Sequence, residues 1–221
     1  VGNQEIKITA AGRTDAGVHA TQQVVSFRSS AQRSPEMWCR GVNSLVGEAV
    51  AVTWCQELHD GFNARFDATA RRYVYVFYQN DSAPALLRHK VSWTRYSLDH
   101  EVMNVAAQSL VGEHDFSSFR ASACQSKTPY RCVHSVSVVR RANQVVIDIT
   151  ANAFLLHMVR NIVGCLEKVG RGEQEQNYVS QVLKLRDRTQ AAPTAEPDGL
   201  YLVQVKYSNL DVEYRPPPTL N

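Results

Sequence analysis

With 221 residues the chain can bury one ample core or two small cores sharing a cleft, and 44% hydrophobic with 20% charged is ordinary for a soluble globular protein. No apolar run approaches the ~20 residues that a bilayer-spanning helix needs, and five cysteines at wide spacings without a CxxC pair suit reduced thiols in a cytoplasm better than a disulfide framework. The net charge of +3 is small, but between Arg65 and Arg95 six cations face two acids, a local +4 that suits a phosphate backbone or a solvated basic surface.

The polar start Val1-Gly2-Asn3-Gln4-Glu5 lacks the basic-then-apolar pattern of a secretory signal. Glu5 to Ala10 and Gln22 to Phe27 read as short strands, separated by a break with Gly12 and Gly17 around an acid. Ser34-Pro35-Glu36 starts a helix to about Leu45, with Ser34 as cap, and Ala49 to Cys55 reads as a strand. Thr69 to Gln79, rich in aromatic and β-branched residues, is a strong strand. One face carries Arg71, Tyr73, Tyr75 and Phe77; the other carries Arg72, Val74, Val76 and Tyr78. The turn-prone stretch Asn80 to Pro84 marks a domain boundary. A strand near Val91 to Tyr96 is followed by a helix from Leu98 to about Val111, capped by Ser97.

Val133 to Arg140 and Gln144 to Thr150 form a hairpin turning near Arg141-Ala142-Asn143. Phe154 to Gly170 is the clearest helix, with its apolar residues on one half-turn and His157, Arg160, Asn161, Gly164, Glu167 and Lys168 on the other. A helix from about Tyr178 to Arg186, a strand from Leu200 to Val205 and an extended tail at Arg215 to Pro218 complete the chain. Strands with hairpin-like connections and covering helices make an α+β protein with an antiparallel sheet. No GxGxxG follows a strand, so a dinucleotide-binding βαβ fold is not expected.

The chemistry concentrates in Gly12-Arg13-Thr14-Asp15-Ala16-Gly17-Val18-His19. Two glycines let the backbone turn sharply, and the carboxylate between them projects from a shaped loop. Arg13 can pair with that carboxylate and keep it ionised near neutral pH; an ionised carboxylate is a competent nucleophile or base. The same Asp equally fits a turn cap between strands. Tyr73 alone reads as a cross-strand aromatic, and Arg160 alone as part of a solvated helix face. Metal chemistry finds no support, because Cys124, Cys132 and His134 are the nearest thing to a cluster and match no zinc spacing. Asp187-Arg188-Thr189 reads as a helix end and loop.

The segment around Asp15 resembles the active-site motif of the TruA family of tRNA pseudouridine synthases. Gly41-Val42-Asn43, Phe62 to Tyr73, Asp115 to Arg120, Ala151 to Gly164 and Gly199-Leu200-Tyr201-Leu202 resemble that family in the same order, so the resemblance covers essentially the whole chain. It begins where family members already have a strand and a helix behind them. It implies the pseudouridine synthase fold: two mixed α/β subdomains whose largely antiparallel sheet lines a basic active-site cleft. These are expected at 1–80, carrying the catalytic loop, and at 81–210, with a Pro-rich tail at 211–221. It also implies a cytoplasmic homodimer that isomerises uridine to pseudouridine at positions 38 to 40 in the anticodon stem-loop of tRNA, with no cofactor, no metal and no membrane.

By motif, Asp15 resembles the nucleophile and Arg13 the arginine that pairs with active-site groups. Tyr73 resembles the aromatic that packs on the target base, Arg160 a cation that pairs with the catalytic Asp, and Leu200 an apolar wall of the pocket. Arg71 and Arg72, beside Tyr73, are expected to hold backbone phosphates, with Arg120 and Lys127 as further candidates, so affinity should fall steeply with salt. His157 is expected to be structural or RNA-facing.

These roles have a chemical reason. Breaking a C1′–N1 glycosidic bond and rebuilding it at C5 requires the freed uracil to rotate in a closed, dry pocket. The carboxylate can attack C1′ or take a proton from C2′ to make a glycal; both routes stay open. Stacking a base on Tyr73 is worth roughly 1–3 kcal/mol, and its hydroxyl can also move a proton at C5. Two other readings use the same residues: a non-enzymatic RNA-binding protein, and an Asp-dependent nucleoside hydrolase or transglycosylase. The intact set of Arg13, Asp15, Tyr73 and Arg160 speaks against the first; the lack of extra acids near the motif speaks against the second.

Overall fold

A computed structural model describes residues 1–220. In chain order the strands are β1 (Thr9–Ala10), β2 (His19–Ala20), β3 (Val25–Ser26), β4 (Ala68–Gln79), β5 (Ser92–Thr94), β6 (Gly112–Asp115), β7 (Tyr130–Arg141), β8 (Gln144–Ala151) and β9 (Leu200–Tyr207). The helices are α1 (Pro35–Asn43), α2 (His100–Ala107), α3 (Met158–Gly170) and α4 (Tyr178–Leu185). This is an α+β protein with a mostly antiparallel sheet, as the strand and helix patterns imply.

The chain divides into two compact units: 1–12 with 24–67, and 13–23 with the chain from Ala68 onward. The strand β4, placed before the boundary in the sequence reading, therefore belongs with the C-terminal part. The reason is its pairing: β8 and β9 flank it on both sides along most of its length. The Asp15 loop belongs to that same unit.

In the first unit β1 and β3 pair antiparallel, and α1 starts at Ser34, whose hydroxyl accepts from the Met37 amide at 3.3 Å. The strand expected over Ala49 to Cys55 does not form. Instead the Asn43 carboxamide donates to the Val52 carbonyl at 2.8 Å and accepts from its amide at 2.7 Å. One side chain thus satisfies both backbone groups that a strand neighbour would have paired.

In the second unit the sheet order is β2-β9-β4-β8-β7-β6, with β5 added parallel to the end of β4. Alternation along β4 sorts the two faces. Val74 and Val76 join Val91, Val146, Tyr201 and Val203 in one buried cluster, covered by Tyr214 and Leu220 of the tail. Tyr73 and Tyr75 face the other way and pair across the ladder with Leu202 and Leu200. That second face is the one that meets the chemistry.

Two element ends depart from the sequence reading. Helix α2 is capped by Asp99, whose carboxylate accepts from Glu101 and Val102, and not by Ser97. Leu98 is buried, its amide is taken by the Gln79 side chain at 3.1 Å, and the helix begins two residues later, at His100. Helix α3 begins at Met158, one turn later than Phe154, because His157 adopts a left-handed conformation with φ 60°. The strand β6 carries little β propensity in Gly-Glu-His-Asp; it exists because β7 offers a ladder edge from Val133 to Tyr130.

Candidate active site

Asp15 sits in a tight turn closed by the Val18 amide, which donates to the Asp15 carbonyl at 3.0 Å. Gly17 completes the turn at φ +82°, and the Pro197 ring packs so close that an added Cβ would lie 2.9 Å from its Cγ. Beyond the turn, β2 pairs parallel with β9, and the amides of Thr21 and Gln22 both donate to the Leu202 carbonyl. The loop is thereby hung on a central strand of the sheet.

Two side chains reach the Asp15 carboxylate, and both approach Oδ2. Arg160 donates from Nη1 at 3.1 Å, and His157 Nε2 lies 3.3 Å away. Arg160 is largely withdrawn from solvent, with 14% of its side chain exposed against 27% for Asp15. Its Nε donates to the Ala195 carbonyl at 2.8 Å, which fixes the rotation of the guanidinium and leaves Nη1 aimed at the carboxylate.

Tyr73 is buried, with its ring edge against Phe154 at 5.1 Å between centroids. Burial pushes its hydroxyl up to about 12, with Arg71 opposing and the Asp15 charge adding. The phenol is therefore neutral at neutral pH and puts no anion beside the carboxylate. Between about pH 10 and 12 the folded protein keeps a proton that the unfolded chain has lost. Stability should then fall as pH rises through that window, by about 2–3 kcal/mol from Tyr73. Urea denaturation at about pH 9 and about pH 11 reads roughly half of that drop, about 1.4 kcal/mol, and Tyr73→Phe should make it smaller.

The remaining residues singled out by sequence sort differently. Leu200 is buried on the Tyr73 face, opposite Tyr75 in the ladder. Arg71 is also buried there, but its Nη1 donates to the carbonyls of Ala68 and Asn152, both at 2.9 Å, so it braces backbone. Arg72 points to the opposite face, as an adjacent strand residue must. There it forms a two-pronged pair with Asp148 and lies over Tyr214, and the Asp148 hydrogen bond raises its pKa. Arg72 thus lies on the face away from Tyr73, where the alternation along the strand puts it. Arg13 is exposed, and the ion pairs to Asp15 come from Arg160 and His157 instead.

His157 was legible only as a neighbour: it lies three residues before Arg160 on the polar side of α3, so one turn brings both to one partner. Among the described residues no group of three or more His, Cys, Asp or Glu is placed to hold a metal ion, and no helix is long and apolar enough to cross a membrane.

A half-buried carboxylate held at Oδ2 by an arginine, with a buried, neutral tyrosine nearby, suits base or nucleophile chemistry. The family model described as tRNA pseudouridine synthase matches residues 106–208, which defines the class as an isomerase of that kind. A protein of Shewanella sp. (strain MR-4) named tRNA pseudouridine synthase A is 55% identical over 207 residues, covering 94% of this chain and 79% of the relative. Proteins of the same name from Shewanella sediminis and Shewanella denitrificans are 54% and 51% identical over the same shares. The chain belongs to the tRNA pseudouridine synthase A (TruA) family.

Proposed function

We propose that the protein isomerises uridine to pseudouridine at positions 38 to 40 in the anticodon stem-loop of tRNA, with Asp15 as the nucleophile. The observation that carries this reading is the clamp on Asp15: Arg160 donates to its Oδ2 at 3.1 Å, and His157 Nε2 lies 3.3 Å from the same oxygen. Oδ1 attacks C1′, the C1′–N1 bond breaks, and the electron pair leaves on uracil. The detached uracil turns, C5 bonds to C1′ as the carboxylate departs, the proton on C5 is lost to solvent and N1 takes one up. The product has the atoms of the substrate, so no cofactor is consumed.

Arg160 keeps Asp15 ionised before attack and steadies the carboxylate when it leaves. The neutral Tyr73 ring offers a stacking face that does not repel the uracil anion. Leu200 serves as an apolar wall that keeps water from the freed base. A target base must leave its stack, at a cost of a few kcal/mol. The exposed cations Arg13, Arg88, Lys90 and Arg95 are suited to hold phosphates meanwhile, with Arg71 bracing the strand behind Tyr73. The working form is a cytoplasmic homodimer with one tRNA across both subunits.

The test uses tRNA tritiated at uracil C5. Wild type should release tritium with no added cofactor, from substrates whose uridines in this region lie only at positions 38, 39 or 40. Undiminished release from a tRNA lacking uridine at all three positions would defeat the site assignment. No release from bound tRNA would defeat the isomerase reading.

A further inference from the structure

The segment from Ala191 to Asp198 has no regular secondary structure, yet it is fastened at nearly every residue. Arg188 donates from Nη1 to the carbonyls of Ala191 and Ala192, at 3.3 and 3.0 Å. Its Nη2 donates at 3.1 Å to both the Thr194 hydroxyl and the Asn161 side-chain oxygen. Asn161 is fully buried; its amide donates to the Phe119 carbonyl at 2.8 Å, and its oxygen accepts from Thr194 at 2.7 Å. A buried network this complete costs stability if any member is lost and holds its backbone to one register.

That register has a consequence at both ends of the segment. At one end, residue 195 is bonded to Arg160 twice: Ala195 N–H to the Arg160 carbonyl at 3.2 Å, and Arg160 Nε to the Ala195 carbonyl at 2.8 Å. At the other end, Pro197 packs on Gly17 in the Asp15 turn, and the Glu196 carbonyl accepts from Tyr75 at 2.9 Å. The segment therefore touches both partners of the Asp15–Arg160 pair.

We propose that this segment is a bracket that sets the separation of Asp15 and Arg160, and that Arg188 is a positioning residue for the isomerisation, acting through Thr194 and Ala195. The proposal rests on the reading of Asp15 and Arg160 as the catalytic pair. Arg188 touches none of the reacting atoms; its fork of donors holds two carbonyls and two side-chain oxygens that a lysine could not span together. Displacing the Ala195 carbonyl swings the guanidinium of Arg160, and a misplacement of about 1 Å near the chemistry can cost ~10²-fold in rate.

The experiment compares steady-state tritium release by Arg188→Ala, Thr194→Val and Thr194→Ser, well below each variant's melting temperature. Arg188→Ala and Thr194→Val should lower kcat by about tenfold or more with KM nearly unchanged, and Thr194→Ser, which keeps the hydroxyl, should stay within about threefold of wild type. If Arg188→Ala does not fold, the Thr194 pair decides alone. The bracket is overturned if kcat of Thr194→Val stays within about twofold of wild type, or if Ser is as impaired as Val. Asp15→Asn is run beside them. Turnover by Asp15→Asn defeats the underlying reading, whereas a silent Asp15→Asn with an unimpaired Thr194→Val defeats the bracket alone.

Discussion

Asp15→Asn should abolish tritium release, by on the order of 10⁴-fold or more, while leaving the protein folded and able to bind tRNA. The substitution keeps the shape of the side chain and the oxygen that accepts from Arg160 Nη1, but replaces the negatively charged carboxylate by a neutral, poorly nucleophilic amide. The structural cost is limited for two reasons. Arg160 retains its second anchor, the Ala195 carbonyl, and the carboxylate it loses is still 27% exposed, so the pair is partly screened by solvent. A stability change of about 1–2 kcal/mol is expected, far below the catalytic effect. Single-turnover tritium release, urea unfolding and tRNA binding are measured on one preparation. Release at even a few per cent of the wild-type rate would remove Asp15 from the role of nucleophile.

Gly164→Ala should be the most damaging single methyl group in the second unit. On helix propensity the change would stabilise, by about 1 kcal/mol. Packing reverses the sign, because an added Cβ would stand 2.1 Å from the Pro193 carbonyl oxygen. That oxygen is backbone in a segment pinned by Arg188, Thr194 and Ala195, so it cannot swing aside like the end of a flexible side chain. Helix α3 and the segment must part by about 1 Å, for a net loss of about 2–3 kcal/mol. Arg160 lies one turn before Gly164, so turnover should fall with stability. Urea denaturation decides the point: a Gly164→Ala protein as stable as wild type would mean that helix and segment are not in this contact.

The candidate site was partly legible because its signals were local. Gly12, Asp15 and Gly17 announce a sharp turn carrying an acid, and the alternation from Arg71 to Tyr78 separates the Tyr73 face from the Val74 face without reference to any other strand. Applied strictly, that alternation already put Arg72 on the opposite side from Tyr73; the expectation that both arginines serve one substrate overlooked it. Gly164 read in the sequence only as one of the residues on the polar side of its helix, and its close approach to a backbone carbonyl is a finding of the structure. Its partner could not be named, because Pro193 is separated from it by the whole of α4 and the loop that follows.

What the sequence determined by itself was whatever depends on residues within a few positions of each other: the β4 pattern, the Ser34 cap, the β7–β8 hairpin, the turn around Asp15 and the ordered motifs of the family. Tertiary structure decided what depends on closure across long stretches of chain. It chose Arg160 and His157, far along the chain, over the nearby Arg13 as the partners of Asp15. It moved the start of α3 to Met158, with His157 in a left-handed turn that brings its ring to the carboxylate. It converted Arg188 from the end of a helix into the knot of a buried network. The physical reason is the same in each case. A side chain's partner is set by which segments the sheet and helices press together, and that depends on packing the whole unit rather than on the residues beside it.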